Sequence, residues 1–137
     1  MTTPTTILIV DDDAVTLQIL GASLKHRGHR VITAMDAMQG LMVARRTPPD
    51  AILLDVQLPG GGGLTTLKKL KANSQTQPIP VIGMSSSSDA KLPAQVLALG
   101  AEAFLRKPID PAHLSEALSQ LLGPPSAGPD APPSAAG

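Results

Sequence analysis

Five polar residues that could act together chemically each stand at the end of a short apolar segment of this 137-residue chain: Asp11, Asp12, Asp55, Ser85 and Lys107. Carboxylates held close together repel one another, so a site built from three of them needs a cation among them. Mg²⁺ suits such a site, because it binds one or two carboxylates together with water and phosphate oxygens. With Mg²⁺ and an ammonium present, one carboxylate could attack phosphorus and form an aspartyl phosphate.

Alternating strand and helix patterns must bring these residues together. The apolar segments are continuous, as expected for strands buried on both faces of a sheet, and between them apolar residues recur at helical spacing. Strand and helix alternate five times, which predicts a doubly wound α/β sandwich with parallel strands and right-handed crossovers. Ligands bind such sheets at the carboxyl ends of the strands, so the five residues should share one pocket. The predicted strands are residues 7–10, 31–33, 51–54, 80–84 and 103–105.

Capping residues mark the ends of the predicted helices. Asp13 is a helix cap rather than a ligand in this interpretation, and Asp110 is a plausible cap for the last helix. Asp89 could cap the fourth helix, whereas Gly28 and Gly100 stand where glycine ends a helix. These residues predict where each helix begins or ends.

The second helix is predicted from Met38, Leu41, Met42 and Arg45, which recur at helical spacing. Such a stripe is more often core than anything else. Methionine fills irregular gaps in cores, so we interpret the methionines of this chain as core residues.

Two segments rich in Pro and Gly are predicted to lack regular structure. Residues 59–63, Pro-Gly-Gly-Gly-Gly, predict a loop that is more mobile than usual, because glycine loses most freedom on ordering. Residues 123–137 hold only Pro, Ala, Ser, Gly and one Asp, and have nothing to bury. We therefore predict one domain over residues 5–122, followed by a disordered tail or linker over residues 123–137.

Composition excludes several classes of function. The net charge is +0, and Phe104 is the only aromatic residue, so neither a nucleic-acid footprint nor a base-stacking platform is present. The absence of cysteine removes disulfides, thiolate catalysis and cysteine metal sites. No apolar run approaches the roughly 20 residues needed to span a bilayer, and the amino terminus lacks the basic start of a signal peptide. We expect a cytoplasmic protein without membrane or nucleic-acid partners.

Four motifs, in order, resemble those of response-regulator receiver domains over roughly residues 5–122. They are Ile-Leu-Ile-Val-Asp-Asp-Asp at 7–13, Leu-Leu-Asp-Val-Gln-Leu-Pro at 53–59 with Gly-Leu at 63–64, Pro-Val-Ile through serine at 80–85, and Phe-Leu-Arg-Lys-Pro at 104–108. Any one motif alone would be weak, but four with the correct spacing are specific. The resemblance implies the flavodoxin-like strand order 2-1-3-4-5 and a role in two-component signalling.

The resemblance also assigns the chemistry of the acid cluster. Asp55 would be the phosphoacceptor, and Lys107 would bind the phosphoryl group. Asp12 would be a direct Mg²⁺ ligand, with Asp11 assisting partly through water. Asp55 and the backbone carbonyl of Gln57 would complete the metal site.

Two further residues would form the switch that the resemblance implies. Ser85 matches the switch hydroxyl and Phe104 the switch aromatic, with a simple core role for Phe104 as the less favoured alternative. These residues would move together and remodel the face made by the fourth helix, fifth strand and fifth helix. Pro108 is expected to follow a cis peptide bond, as in the family.

The implied partner is a histidine kinase or histidine phosphotransfer protein, whose phosphohistidine donates to Asp55. A homodimer through the switch face is also compatible with the resemblance. The chain would be a signalling switch that catalyses only its own modification, not an enzyme for an external substrate. One alternative is a degenerate receiver that binds or dimerises without phosphorylation. Another is a phosphatase with an aspartyl-phosphate intermediate, but such enzymes usually carry an acid/base Asp where this chain has Gln57.

Overall fold

Five strands and five helices alternate along residues 4–58 and 62–123, which the computed structural model describes. Each predicted strand is present within one residue of its predicted bounds. No helix in this described part is long and apolar enough to cross a membrane. The elements are β1 (Thr6–Val10), α1 (Ala14–His26), β2 (Arg30–Ala34), α2 (Ala37–Arg46), β3 (Ala51–Asp55), α3 (Gly62–Ala72), β4 (Val81–Ser85), α4 (Leu92–Ala98), β5 (Ala103–Arg106) and α5 (Pro111–Leu122).

The five strands form one parallel sheet in the order β2-β1-β3-β4-β5. This arrangement confirms the predicted fold class and strand order. The register pairs Asp55 with Met84 and Ser85 with Arg106, so β3, β4 and β5 end at nearly the same level. The carboxyl ends of these strands therefore lie side by side, and we call this end of the sheet its carboxyl edge.

Both faces of the sheet are buried, each against its own set of helices. Leu8 and Val10 pack in the cluster that α2, α3 and α4 cover, whereas Ile7 and Ile9 pack in the cluster that α1 and α5 cover. This division follows from the strand geometry, since successive side chains point to opposite faces. Every residue of β3 and β4 is buried, and burying one Leu or Ile side chain contributes roughly 1.5–3 kcal/mol. The core thus holds in place the strands that carry the polar residues.

The second helix packs differently from the prediction. Met35, Met38 and Met42 are 47%, 75% and 44% exposed, so the prediction that the methionines are core residues is wrong at these positions. Met84 in β4 is fully buried, as predicted. The buried face of α2 contains Gly40, where an added Cβ would lie 2.9 Å from a methyl carbon of Val10. Because the helix approaches β1 through a glycine, its methionine face turns toward solvent.

Two of the glycines predicted to lie in a loop belong to a helix. Gly62 and Gly63 begin α3, whereas Pro59, Gly60 and Gly61 lie outside the described residues. A Cβ at Gly63 would be 2.2 Å from the carbonyl carbon of Val56, a distance that no side chain permits. Glycine is therefore required for α3 to begin directly against the turn that follows β3. The predicted tail, apart from Gly123, also lies outside the described residues.

Most predicted helix ends are confirmed. The side chains of Asp13 and Asp110 accept hydrogen bonds from amides in the first turns of α1 and α5. Gly28 and Gly100 follow α1 and α4 with φ values of 95° and 111°, in the left-handed region that favours glycine. Local sequence therefore fixes these boundaries.

The predicted cap of the fourth helix is wrong. α4 begins at Leu92, and Lys91 occupies the N-cap position without a side-chain hydrogen bond. Asp89 instead accepts a hydrogen bond of 2.9 Å from the amide of Lys91, in a turn that precedes the helix. Pro93 lies in the first turn of α4, as its missing amide proton requires. An intervening turn thus separates the aspartate from the helix that it was expected to cap.

Candidate active site

The ends of β1, β3, β4 and β5 bring the predicted site residues to one edge of the sheet. Asp11 follows β1, Asp55 ends β3, Ser85 ends β4 and Lys107 follows β5. The amide of Lys107 donates a hydrogen bond of 2.8 Å to the carbonyl of Ser85, which ties the end of β5 to β4. Residues up to 96 positions apart in sequence therefore meet here, as Asp11 and Lys107 do.

Three carboxylates form a cluster at this edge. Asp11, Asp12 and Asp55 each offer an oxygen atom, and these atoms all lie within 4.8 Å of one another. Asp11 is completely buried and Asp55 is 5% exposed, whereas Asp12 is exposed. Two carboxylates are thus fixed by the core, and the third opens the cluster to solvent.

Lys107 is the one cation of the described residues that forms ion pairs with this cluster. Its Nζ lies 2.5 Å from Asp11 Oδ2 and 3.1 Å from Asp55 Oδ2. Burial works against the charge of the ammonium, but the contacts with Asp11 and Asp55 outweigh burial and raise the pKa of Lys107. One ammonium therefore faces three carboxylates, and the cluster carries an excess of negative charge.

Asp11 is the most constrained of the three acids. Its Oδ1 accepts a hydrogen bond of 2.9 Å from the amide of Asp13. Its Oδ2 is buried and accepts no well-directed hydrogen bond from any described residue, so its contact with Lys107 is an ion pair. Burial raises the pKa of the Asp11 carboxyl, although Lys107 opposes this effect. An incompletely satisfied oxygen among three carboxylates fits the oxygen ligands and charge that Mg²⁺ requires.

Asp55 is held by contacts at both oxygens. Oδ1 accepts a hydrogen bond of 2.8 Å from the amide of Gln57, and Oδ2 contacts Lys107. The turn after β3 therefore holds one oxygen of Asp55, while the other oxygen faces Lys107.

The Lys107–Pro108 peptide bond is cis, as expected.

Asp13 lies beside the cluster without joining it. Its Oδ2 accepts a hydrogen bond of 3.0 Å from the hydroxyl of Thr16, and its Oδ1 accepts one from the amide of Val15. The Thr16 hydrogen bond is the main reason that the pKa of Asp13 lies below its usual value. The interpretation of Asp13 as a helix cap is confirmed.

The side chain of Gln57 contacts Ser85, which sequence reasoning did not anticipate. The hydroxyl of Ser85 is buried and donates a hydrogen bond to Gln57 Oε1. The same hydroxyl accepts a hydrogen bond of 2.9 Å from the amide of Ser87. The only sequence signal was a long polar side chain two residues after Asp55, which does not specify a partner 28 positions away.

Arg106 joins the end of β5 to the loop after β4. Its guanidinium donates hydrogen bonds to the backbone carbonyls of Ser87 and, at 3.5 Å, Asp89. It also lies over the ring of Phe104, 5.7 Å from the ring centroid. Phe104 itself is partly buried against the core and pairs with Gly83 of β4. Sequence reasoning missed Arg106, because its partners are backbone atoms.

Comparisons with known proteins identify the family to which this chain belongs. The family described as the response regulator receiver domain matches residues 7–119. This chain belongs to that family. It is 42% identical over 104 residues to the response regulator PleD of Caulobacter vibrioides, a match that covers 76% of this chain and 23% of PleD. It is 32% identical to the protein PilH of Pseudomonas aeruginosa, covering 85% of this chain and 96% of PilH.

A solved receiver domain has the same fold. The receiver domain of the sensor histidine kinase PA1611 from Pseudomonas aeruginosa superposes with a TM-score of 0.80 at 28% identity, covering 88% of this chain and 99% of that domain. That structure contains a magnesium ion coordinated in its active-site cleft. The chain therefore has the fold and family of two-component receiver domains, and it spans less than a quarter of PleD.

Proposed function

We propose that this chain is a phosphoacceptor receiver domain, in which Asp55 takes a phosphoryl group from a phosphohistidine of a histidine kinase or phosphotransfer protein. The observation that carries this proposal is the charge imbalance at the sheet edge, where three carboxylates face one ammonium. A purely structural cluster would be expected to balance its charges, since an uncompensated buried charge is costly. An imbalance instead suits a cation and an anionic phosphoryl group that bind together.

Asp55 is the nucleophile in this proposal. One of its carboxylate oxygens forms a bond to phosphorus while the phosphorus–nitrogen bond to the donor imidazole breaks, and the imidazole, already protonated on its other nitrogen, leaves as a neutral ring. Asp55 suits the role because Lys107 and the amide of Gln57 orient its oxygens. Asp11 suits the role of nucleophile less well than Asp55, because the Asp11 carboxylate is completely buried.

Asp11, Asp12, Asp55 and the backbone carbonyl of Gln57 would hold Mg²⁺. When bound, Mg²⁺ would neutralise negative charge on the carboxylates and on the phosphoryl oxygens. Lys107 would contact a phosphoryl oxygen from the other side of Asp55, with its charge favoured by the same acids that raise its pKa. The magnesium in the PA1611 receiver domain supports this assignment.

Ser85 would act as the switch hydroxyl, and Gln57 would hold it before phosphorylation. A hydroxyl has one proton to donate, and here Gln57 Oε1 receives it. A phosphoryl oxygen on Asp55 would compete for that proton and release Gln57. Phe104 would then repack, and the face made by α4, β5 and α5 would change its contacts, including any homodimer contact.

Incubation with acetyl phosphate and Mg²⁺, read by intact mass, tests the proposal. The wild type should gain one phosphoryl group that is lost on mild alkaline treatment, and chelation of Mg²⁺ should prevent the gain. Asp55→Asn should gain none, whereas Glu116→Gln, an exposed acid on α5, should behave as wild type. A folded wild type that stays unmodified would instead support a degenerate receiver that acts without phosphorylation.

A further inference from the structure

The groove between α2 and α3 combines an apolar floor with a positively charged rim. It has a volume of about 770 Å³, and its lining includes Met38, Leu41, Met42, Arg45, Arg46 and Lys69. Within the described residues, none that lines this groove is acidic. It runs along α2 from Met38 to Arg46 and is bounded on the other side by the carboxyl-terminal end of α3.

Met38 and Met42 belong to neither core cluster of the described residues. Met38 is 75% exposed and Met42 is 44% exposed, although the rest of the helix buries its small residues. Methionine is flexible and polarizable, and exposed methionines are common on surfaces that bind other proteins. The groove floor therefore has the character of a contact surface rather than of a solvated helix face.

Charge is segregated on this face. Helices α2 and α3 contain five Lys or Arg residues and no acid, although the whole chain has a net charge of +0. Of these five, only Lys71 forms a salt bridge in the described part of the chain, with Glu102. Cations near helix carboxyl termini stabilise the helix dipole, but that effect does not require an apolar groove beside them.

We propose that this groove, which we call the α2–α3 groove, binds an acidic amphipathic helix of a partner protein. Such a helix would set its apolar face on Met38, Leu41 and Met42 and its flanking carboxylates near Arg45, Arg46 and Lys69. This contact is separate from phosphorylation at Asp55.

Other occupants fit less well. A second copy in a symmetric contact would bring Arg45 and Arg46 against the same cationic surface. Residues 124–137 of this chain contain one acid, Asp130, and no large aliphatic or aromatic residue. A bilayer is flat, whereas a groove between two helices matches the shape of a third.

Binding of a designed peptide tests the α2–α3 groove. The probe is a fluorescent helical peptide of Leu, Ala and Glu, with leucines at helical spacing on one face and glutamates on its flanks. A matched peptide has lysine in place of every glutamate. The wild-type chain should bind the acidic peptide at least about tenfold more tightly than the lysine peptide in a fluorescence anisotropy titration. Methyl NMR signals of Met38 and Met42 should shift on binding.

Three variants decide whether the binding uses this surface. Arg45→Glu combined with Arg46→Glu, and separately Met38→Gln combined with Met42→Gln, should each weaken binding by about tenfold or more. Lys91→Glu, an exposed cation at the start of α4, should bind as wild type. All variants should still be phosphorylated by acetyl phosphate, which separates this proposal from the function of Asp55.

Several outcomes would overturn the proposal. These are equal affinity for the two peptides, unchanged affinity in the groove variants, or a dimer in sedimentation that Arg45→Glu dissociates. Preference for vesicles of phosphatidylglycerol and phosphatidylcholine over the acidic peptide would assign the surface to lipid instead.

Discussion

Two partly buried lysines, one near the carboxyl ends of the strands and one near their amino ends, have very different surroundings. The Lys71 side chain is 13% exposed and the Lys107 side chain is 17% exposed. Lys71 Nζ donates to the carbonyls of Gln77 and Ile79 at 3.0 and 2.9 Å and to Glu102 Oε1 at 3.0 Å. An ammonium has three protons to donate, so these three acceptors satisfy it completely.

The partner of Lys71 is satisfied as well. The second oxygen of Glu102 accepts a hydrogen bond of 2.7 Å from the amide of Val81. This pair joins the end of α3 to the starts of β4 and β5 with its charges balanced. At the other edge, Lys107 faces more carboxylate than it can neutralise. We infer that a balanced ion pair serves the fold, whereas an imbalance of charge suits a site that binds a ligand.

Removing each lysine should separate these two roles. Lys107→Met should lower the rate of phosphorylation by acetyl phosphate about 10²–10³-fold, because the charge that we propose to face the phosphoryl oxygens is lost. Intact-mass time courses with excess Mg²⁺ measure this rate. A variant that reacts as fast as wild type would contradict the assignment of Lys107.

Lys71→Met should have the opposite profile. It should lower the free energy of unfolding by about 2–3 kcal/mol, because Glu102 and two backbone carbonyls lose their donor. Its phosphorylation rate at a temperature where it is folded should match wild type. Urea unfolding measures the change, with Lys68→Met, an exposed lysine on the same helix, as control. A slowed phosphorylation would show that the two edges are coupled.

Removing excess charge at the site should stabilise the fold while weakening metal binding. Without Mg²⁺, Asp11→Asn should raise the free energy of unfolding by about 1 kcal/mol, because a buried carboxylate with an incompletely satisfied oxygen is lost. Added Mg²⁺ should raise the melting temperature of the wild type much more than that of the variant. Equal stabilisation of both proteins by Mg²⁺ would rule out Asp11 as a ligand.

His29 extends the comparison to a basic group that forms no ion pair with a carboxylate among the residues that the structure describes. Burial lowers the pKa of His29 below its ordinary value, with Arg27 adding to the effect. Because the folded pKa is depressed, the folded state is favoured above the unfolded pKa of about 6.5 and loses this advantage as the pH falls through the folded pKa. His29→Gln should therefore lose less stability than wild type between pH 7.5 and pH 5.

This is the smallest effect of the four, and it is measured as the difference between the urea midpoints at the two pH values. An identical pH dependence in both proteins would show that His29 is not the group responsible. Thr5, whose hydroxyl hydrogen-bonds to the ring nitrogen Nδ1, is left unchanged in this test.

The fold class, and the residues that meet at the carboxyl ends of the strands, could be predicted from the amino-acid pattern alone. Alternating apolar and helical patterns specify parallel strands, and parallel strands align their carboxyl ends, so Asp11, Asp55 and Lys107 had to meet. Capping by Asp13 and Asp110 was also predictable, because a cap depends on neighbours within a few residues.

Contacts that depend on how helices and turns are rotated could be seen only in the folded chain. Gly40 allows α2 to approach β1 closely and turns Met38 outward, which helical spacing alone could not reveal. Gln57 meets Ser85, and Lys71 meets Glu102, across separations of 28 and 31 residues. Such pairs depend on side-chain positions set by the packed core, for which no local pattern exists.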